Sequence, residues 1–323
     1  MQRLYVGNSD IEVSRMCLGA MNLGTVQDRD TSFAILDRYV ELGGTFIDTA
    51  NCYCFWVEGN HGNVSERLLG EWMASRQNRD QVVLGTKVGY RPATEDDTTI
   101  NNPEHLTARR IEASLNESLE RLGTDYVDVY WSHRDDRDTD LAETVGGFDR
   151  AVSAGKARAI GAGNNRAWRV ERARSVAEQD GRHHTYGLMQ NRYSYVQPRP
   201  QSRLKSVAHV HATETDVDYV RNTPGMAMLT YSSLLSGAYT NPNKSLEGVY
   251  DHPGTDARLA VLDSVAHERG VTRNQVVLAW LCAHDAPLIP LVGVSSVEQL
   301  DEVVAGVNLR LEPEEFERLS NAA

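Results

Sequence analysis

Four residues of the sequence combine an acid, a phenol, a cation and an imidazole in positions that suit proton transfer. Asp48 follows the short β-branched and aromatic run Thr45-Phe46-Ile47, and Tyr53 comes five residues later. Lys87 and His133 each close another apolar run. A lysine beside Tyr53 is expected to lower a phenol pKa that is ordinarily about 10, while Asp48 holds and neutralises that lysine. Tyr53 is therefore predicted to donate a proton to a substrate oxygen that His133 orients.

This combination suits a carbonyl group that receives a hydride at carbon and a proton at oxygen. Taken singly, each residue has an ordinary structural explanation. Asp48 is then a turn residue, Lys87 a strand end that reaches solvent, His133 a hydrogen-bonded core histidine and Tyr53 an amphipathic surface ring. Their joint placement at strand ends favours the catalytic interpretation.

The elements that must position these residues alternate regularly. We count eight core strands separated by helices, and the strands are apolar on both faces, as parallel strands covered by helices are. Strict alternation over this length predicts an α/β fold, a (β/α)8 TIM barrel, in one domain spanning residues 1–323. An open doubly wound sheet is the alternative. In a barrel, the carboxyl ends of the second, third and fourth strands bring Asp48, Lys87 and His133 to one face, with Tyr53 in the loop above.

Flanking segments carry further expectations. Residues 4–13 predict an N-terminal β-hairpin with its turn at 7–10, and the longest loops are predicted after strands six and seven, where they would cover a site. Thr31 is predicted to cap the first helix. The residues after the last barrel helix, 297–304, are predicted to be a polar tail.

Composition limits the possible partners and compartment. The formal net charge of −12 argues against nucleic acid or an anionic membrane as a partner. No window approaches the roughly 20 apolar residues of a membrane helix. Four scattered cysteines and no secretory signal predict free thiols in a reducing compartment, the cytoplasm. The sequence leaves monomer and homo-oligomer equally open.

Possible metal ligands are too few for a metal site to be predicted. Cys52 and Cys54 flank Tyr53, but a zinc site needs four ligands and no second pair exists. The histidine pairs at 183–184 and at 209 and 211 are predicted to lie on the surface.

The four candidate catalytic residues belong to a longer series of motifs. The series comprises Leu18-Gly19-Ala20-Met21, Asp48-Thr49-Ala50 with Tyr53, Ser65-Glu66, Gly85-Thr86-Lys87, Asp128-Val129-Tyr130 with His133, Gly155 to Gly161 with Asn164, Gln190-Asn191, Tyr231-Ser232 and Gly293 to Leu300. In this order the motifs resemble the aldo-keto reductase family over nearly the whole chain. The resemblance extends to bacterial members and to the branch that contains the potassium-channel β subunits.

The resemblance implies reduction of an aldehyde or ketone, a small-molecule carbonyl substrate, by NADPH and without a metal. It implies that Tyr53, Asp48, Lys87 and His133 form the catalytic set. The cofactor-binding residues that it implies are Gly19, Ala20, Met21 and Asp48 near the first strands, Asn164 and Gln190 on the nicotinamide amide, Tyr231 stacked on the nicotinamide ring, Ser232, Leu234, Ser236 and Gly237 over the pyrophosphate, and Ser295, Gln299 and Glu302 at the adenosine end. A helix N-terminus at 295–296 is expected to offer free N–H groups to a phosphate.

The chain departs from the family pattern at several positions. Cys54 stands where the family usually has glycine, Gly163 replaces a common serine, Ser233 a common proline and Val303 an adenine-binding asparagine. No lysine or arginine occurs between 285 and 308, so the usual basic contact to a 2′-phosphate is missing there. Lys244 or Arg258 is the expected substitute, and NADH is not excluded.

Two other functions are alternatives to a carbonyl reductase. The first is an NADPH-binding regulatory subunit resembling the potassium-channel β subunits; no long segment precedes Leu4, which favours the reductase. The second is an aldolase that forms a Schiff base through Lys87.

Phe55, Trp56 and Trp131 are predicted to line an aromatic substrate pocket, with core packing as the alternative for Trp131.

Overall fold

Ten strands form a two-stranded hairpin and a closed barrel in the computed structural model, which describes residues 1–7, 9–57, 62–94, 99, 101–204, 209–246 and 248–322. The strands are β1 (Arg3–Val6), β2 (Ile11–Ser14), β3 (Cys17–Gly19), β4 (Phe46–Asp48), β5 (Val83–Val88), β6 (Val127–Ser132), β7 (Ala157–Gly163), β8 (Leu188–Arg192), β9 (Ala227–Tyr231) and β10 (Leu288–Val292). The barrel closes in the order β10-β3-β4-β5-β6-β7-β8-β9, and every neighbouring pair is parallel. The predicted (β/α)8 barrel is confirmed.

Helices surround the barrel and follow its strands. They are α1 (Arg29–Glu41), α2 (Val64–Arg76), α3 (Ala108–Leu122), α4 (Leu141–Ser153), α5 (Ala167–Gln179), α6 (Glu214–Asn222), α7 (Pro253–Arg269), α8 (Arg273–Ala283), α9 (Val297–Asn308) and α10 (Pro313–Ser320). Within the described ranges, we find no helix with the length and apolar character needed to cross a membrane.

Each barrel strand contributes to two separate cores because successive side chains point to opposite faces. One core lies between the sheet and the helices and includes Leu18, Ile47 and Leu84. The other fills the barrel interior and includes Phe46 and Val83, the residues next to Ile47 and Leu84 in sequence. This double burial explains the continuous apolar runs from which the parallel strands were predicted.

The predicted N-terminal hairpin is confirmed, and it closes the amino-terminal end of the barrel. β1 and β2 pair antiparallel, from Arg3 with Ser14 to Val6 with Ile11. Val6 and Ile11 belong to the interior core, and the Gly7 N–H donates to the Gly225 carbonyl just before β9. The predicted turn includes position 8, which lies outside the described residues. The opposite, carboxyl-terminal end of the barrel is left to the loops.

The longest loops follow the sixth and seventh barrel strands, as predicted. They span residues 193–213 after β8, of which 205–208 lie outside the described residues, and 232–252 after β9. The second loop contains short 3-10 turns at Leu235–Gly237 and Gly248–Tyr250.

Three local predictions were wrong. Asp28, not Thr31, caps α1, and its carboxylate accepts the Thr31 N–H at 2.8 Å. The predicted polar tail contains α10, which begins with proline and a capping box and buries Leu319; its charged composition hid this short apolar stripe. His211 was predicted to lie on the surface but is buried, with Nδ1 at 2.8 Å from the Ala212 carbonyl oxygen.

Candidate active site

Strand periodicity directs the predicted catalytic side chains into the carboxyl-terminal end of the barrel. Val83 lies in the interior core, so Lys87, four residues further along β5, faces the same way. The same alternation leads from Phe46 to Asp48 at the end of β4. His133 comes directly after β6. The strand ends predicted from the sequence therefore lie within one residue of those observed.

Lys87 is the centre of the hydrogen-bond network in this region. Its buried ammonium group forms an ion pair with Asp48 and donates to the Thr49 carbonyl oxygen at 2.7 Å. It also donates to the Tyr53 hydroxyl at 2.9 Å. The predicted proton donor Tyr53 and the two residues predicted to tune it, Lys87 and Asp48, are thus joined through the Lys87 ammonium group. The Thr49 carbonyl is a contact that the sequence did not predict, because a main-chain acceptor leaves no signal in residue type.

Burial changes the expected titration of Tyr53. Desolvation raises the pKa of Tyr53 above its ordinary value, and Lys87 opposes that rise. The predicted net lowering of the pKa was therefore wrong, and the phenol is protonated at neutral pH. Desolvation also raises the pKa of Asp48, against the effect of Lys87. Although burial lowers the pKa of Lys87, the carboxylate of Asp48 and the Tyr53 oxygen raise it overall. A charged ammonium is a poor nucleophile, which counts against the Schiff-base alternative.

His133 lies beside Tyr53 in a ring of aromatic side chains. The His133 and Tyr53 ring centroids are 5.8 Å apart and edge to face, and the Tyr90 ring packs edge to face on His133 at 4.7 Å. The thiol of Cys52 lies 3.7 Å from His133 Nδ1. Burial, together with the charge of Lys87, lowers the pKa of His133 well below its ordinary value. His133 is therefore neutral at neutral pH and has one N–H to donate.

Trp131 fills the barrel interior directly below the ion pair. Two glycines make room for its indole: a Cβ atom on Gly161 would lie 2.2 Å from the ring, and one on Gly85 would lie 2.9 Å from Nε1. The same Gly85 position lies 3.0 Å from Asp48 Oδ1, so the indole nitrogen and the carboxylate both approach Gly85, without a hydrogen bond between them. Trp131 lowers the pKa of Asp48 against the larger effect of burial. It is a core residue and not part of an open aromatic pocket.

Cys54 occupies a backbone conformation that favours glycine. Its φ is 69°, in the left-handed region, which gives the family's usual glycine at this position a steric reason. The thiol donates to the Met21 carbonyl oxygen at 3.1 Å and lies 2.9 Å from Thr25 Oγ1. These contacts connect the Tyr53 loop to the loop after β3. All four cysteines of the chain are free thiols, as predicted.

Asn164, Gln190 and Tyr231, the residues expected at the nicotinamide, converge at the ends of β7, β8 and β9. The Asn164 N–H donates to the Gln190 carbonyl at 2.9 Å, and the Tyr231 hydroxyl donates to Asn164 Oδ1 at 2.6 Å. Asn164 Nδ2 donates to the His133 carbonyl at 2.9 Å, and Gln190 Nε2 lies 3.3 Å from Asp48 Oδ2. Two carboxamides and an aromatic ring beside the ion pair fit a flat ring that carries an amide.

The loop after β9 has a backbone suited to an anion. Ser232, Leu235, Ser236 and Gly237 all have positive φ, between 47° and 88°. Left-handed residues of this kind turn backbone N–H groups toward anions, although the N–H groups of Leu235 and Gly237 already donate to the Ser232 and Leu234 carbonyls. The Lys244 ammonium group donates to the Ser236 carbonyl at 2.5 Å, so a cation lies against this loop.

The residues expected at the adenosine end lie at the start of α9 and bond mainly to one another. Gln299 Oε1 accepts from both the N–H and the hydroxyl of Ser295 at 2.9 Å, and Glu302 accepts from the Thr272 hydroxyl at 2.7 Å. The Gln299 N–H donates to the Ser296 hydroxyl at 3.3 Å. Because Ser295 already donates its N–H within the protein, the expectation of free N–H groups at 295–296 is wrong for that residue.

The remaining predicted residues lie around the mouth of the barrel. Gly19 ends β3, the Ala20 N–H donates to the Asp48 carbonyl at 2.9 Å, and Met21 is 42% exposed. Phe55 is buried in the loop that follows Tyr53, and Trp56 is 48% exposed with its ring 5.1 Å from that of Phe55. These two aromatic rings remain candidates for substrate contact.

One group of side chains in the described residues has ligand atoms close enough for a metal ion. His105, Asp136 and Asp138 place one ligand atom each within 4.8 Å of one another. Asp136 Oδ2 already accepts from the Leu106 N–H and the Thr139 hydroxyl, both at 2.7 Å. The Asp136 carboxylate therefore stabilises the loop through these hydrogen bonds, and the described residues provide no further sign of a metal there.

Comparison with known proteins identifies similar sequences along nearly the full length. The model of the aldo/keto reductase family matches residues 15–323. The chain is 30% identical over 325 residues to the uncharacterized oxidoreductase YrpG of Bacillus subtilis, covering 99% of this chain and 95% of that protein. It is 31% identical over 320 residues to the norsolorinic acid reductase stcV of Emericella nidulans, covering 95% of this chain and 77% of that protein. It is 29% identical over 330 residues to an aryl-alcohol dehydrogenase of Pestalotiopsis microspora, covering 98% of this chain and 80% of that protein.

Proposed function

Because the chain belongs to the aldo/keto reductase family, we propose that it reduces an aldehyde or ketone with NADPH, and that Tyr53 donates the proton. Carbonyl reduction with NAD(P)H is the general activity of the family, and relatives named as reductases and oxidoreductases support it here. The observation that carries the proposal is the contact of the Lys87 ammonium group with both Asp48 and the Tyr53 hydroxyl.

The side chains divide the work as follows. The Tyr53 hydroxyl, protonated at neutral pH, gives its proton to the carbonyl oxygen of the substrate. Lys87 stabilises the phenolate that remains, and Asp48 holds Lys87 in place. The neutral His133 donates a hydrogen bond to the same oxygen and orients it. The reduced nicotinamide, when bound, supplies the hydride at the carbonyl carbon.

The residues that would hold the cofactor fit its chemical groups. Asn164 and Gln190 would bond the nicotinamide amide, and Tyr231 would stack on the ring. The left-handed backbone from Ser232 to Gly237 would receive the pyrophosphate. Ser295, Gln299 and Glu302 would contact the adenosine.

Lys244 is the better candidate to favour NADPH over NADH. Its ammonium group lies on the loop that would receive the pyrophosphate. Arg258 instead donates to the Tyr195 carbonyl at 3.2 Å and lies over the Tyr195 ring. We propose that Lys244 makes the 2′-phosphate contact; a loss of affinity for NADH as well as NADPH on its substitution would place it at the pyrophosphate, which both cofactors share.

We also propose that residues 1–323 form one domain that works in the cytoplasm. The packing of the hairpin into the barrel and of α10 against α7 supports the first part. Four free thiols support a reducing compartment.

The test compares Tyr53→Phe with the wild type in an assay of NADPH oxidation by a reactive aromatic aldehyde. Loss of the proton donor is expected to lower kcat by at least about a hundredfold, because general acid catalysis contributes roughly 10²–10⁴. NADPH binding, measured by fluorescence titration, should be unchanged. The matched control is Tyr130→Phe, which removes a buried phenol that donates to the Ile111 carbonyl outside the barrel.

Undiminished turnover in Tyr53→Phe would contradict the mechanism. Tight NADPH binding by the wild type without turnover of any carbonyl compound would favour the regulatory subunit. Running NADH beside NADPH in the same titration, with Lys244→Gln, tests the assignment of Lys244: the variant should lose affinity for NADPH only.

A further inference from the structure

A cavity of about 500 Å³ lies between α2, α3 and the loop after β5, and its lining does not include Asp48, Tyr53, Lys87 or His133. One of its lining residues is Phe55, which packs with Cys52 and Tyr90, and both of these contact His133. A ligand in this cavity would therefore lie near the residues that contact His133. The volume is in the range of small-molecule sites.

Four arginines line this cavity, although the whole chain carries a net charge of −12. They are Arg67 on α2, Arg91 in the loop after β5, and Arg110 and Arg121 on α3. A local excess of cations in an acidic protein has to be stabilised by something, because like charges that converge repel one another.

The carboxylates of the described residues compensate this charge only in part. Glu117 Oε2 is shared: it lies 3.3 Å from Arg91, 2.8 Å from Arg110 and 4.0 Å from Arg121. Arg110 Nε also lies 2.8 Å from Glu104.

The remaining arginine on α2 has a weaker partner. Arg67 Nε donates to the neutral amide of Asn63 at 3.1 Å, and among the described residues no carboxylate lies within ion-pair distance of it. Arg121 is paired with Glu66 at 2.6 Å. Within the part of the chain that the structure describes, these four guanidinium groups thus face three carboxylates, Glu66, Glu104 and Glu117.

Two of these three carboxylates are also committed to the protein interior. Glu66 Oε1 accepts from the Thr86 hydroxyl at 2.6 Å, next to Lys87 in sequence. Glu104 Oε1 accepts from Asn51 Nδ2 at 2.8 Å and from the Gly89 N–H at 2.9 Å. Glu66 and Glu104 therefore bond to interior groups and to an arginine at the same time, and all four arginines line the cavity.

We infer that this cavity is a binding site for a small oxyanion, a phosphate or a carboxylate compound, held by Arg67 and Arg91 above Arg110 and Arg121. Planar guanidinium groups bind both oxyanions through paired N–H bonds, and a negative ligand would add to the three carboxylates that the described residues supply. The site is independent of the carbonyl reduction proposed above, because it needs neither Tyr53 nor the cofactor.

The experiment is calorimetric titration of the full chain with inorganic phosphate and, separately, with citrate, at constant ionic strength set with chloride. Saturable binding of one ligand per chain is expected for at least one of the two anions. Arg67→Gln, and separately Arg91→Gln, should weaken binding by at least about tenfold, because each removes a charged hydrogen-bond donor. Arg67 is exposed, so its substitution leaves the fold intact. The matched control is Arg109→Gln, the same charge change at an exposed position on α3 that does not line the cavity.

Each outcome decides the proposal. Binding of phosphate alone supports it and identifies a phosphate ligand, whereas binding of citrate alone supports it and identifies a carboxylate ligand. Absence of saturable binding of both anions overturns it. So does an equal loss of affinity in Arg109→Gln and Arg67→Gln, because the effect would then be one of general charge. Full binding by Tyr53→Phe separates this result from the fate of the proposed reductase.

Discussion

At the scale of single residues, burial decides how the predicted proton donor behaves. The residues Asp48, Tyr53, Lys87 and His133 were predicted from their types and positions, but the direction of the Tyr53 pKa was not. Desolvation raises that pKa, so in the proposed reaction Lys87 would stabilise the phenolate after proton transfer and would not create it beforehand. The roles of the four residues remain predictions for the assays proposed above.

Trp131 is a residue-scale feature that can be tested by its effect on Asp48. Trp131→Phe keeps a ring in the cradle of Gly85 and Gly161 but removes the N–H that approaches Gly85 beside Asp48. Because that N–H lowers the pKa of Asp48, its loss should raise the pKa, and Asp48 should protonate at higher pH. The acid limb of the pH profile of kcat/KM is therefore expected to move to higher pH.

The control for this variant is Trp72→Phe, which removes a buried indole N–H that donates to Asp37 at 2.8 Å, away from the site. An acid limb that does not move in Trp131→Phe, or that moves equally in both variants, would show that Trp131 only fills space.

Cys54 allows a second test at this scale. Its left-handed backbone conformation is unfavourable for residues with a side chain, and the thiol contacts with Met21 and Thr25 offset part of this unfavourable free energy. Cys54→Ala keeps the strain and loses the contacts, whereas Cys54→Gly loses both. Thermal unfolding should therefore show Cys54→Ala to be the less stable of the two variants, by roughly 1 kcal/mol. The reverse order would mean that the strain is negligible here.

At the scale of elements, side chains in the loops tie the strands to the helices. Asp136, in the loop after β6, accepts from the Leu106 N–H just before α3 and from the Thr139 hydroxyl. Although burial raises its pKa, these hydrogen bonds and Arg134 lower the pKa of Asp136 to about 2. The loops at the carboxyl ends of β5 and β6 are joined in this way beside the candidate site.

Asp136→Asn is therefore expected to lower stability at pH 7. The folded-state pKa lies below the unfolded value of about 3.9, so the carboxylate stabilises the fold above about pH 4, and this stabilisation is lost as the pH falls toward 2. Chemical unfolding of the variant and the wild type should differ at pH 7 and converge near pH 2–3. Asp138→Asn, an exposed carboxylate in the same loop, is the control. A difference that is constant with pH would mean that the charge of Asp136 contributes nothing.

At the scale of the whole molecule, stability and the candidate site lie at opposite ends of the barrel. The hairpin fills the amino-terminal end through Val6, Ile11 and Val13, while the predicted catalytic residues occupy the carboxyl-terminal end. This division is usual for (β/α)8 barrels, whose loops vary without loss of the core.

Ile11→Ala tests this separation. The side chain is 1% exposed, so its truncation should cost about 2–4 kcal/mol of unfolding free energy, measured by denaturant titration. The kcat of the protein that remains folded should not change, because Ile11 lies at the end of the barrel opposite to the ion pair. Tyr5→Ala in the same hairpin, where the ring is 67% exposed, is the control. A lower kcat in Ile11→Ala would show that the hairpin also shapes the site.

The sequence by itself determined the barrel and the convergence of the predicted catalytic residues. Both follow from local information: strand alternation, and the position of Asp48, Lys87 and His133 at strand ends. Tertiary structure alone decided the rise of the Tyr53 pKa, the approach of Trp131 and Asp48 to Gly85, the left-handed backbone at Cys54 and the arginine cavity. These depend on which groups far apart in sequence exclude water from one another, and desolvation and close approach leave no local pattern in the chain.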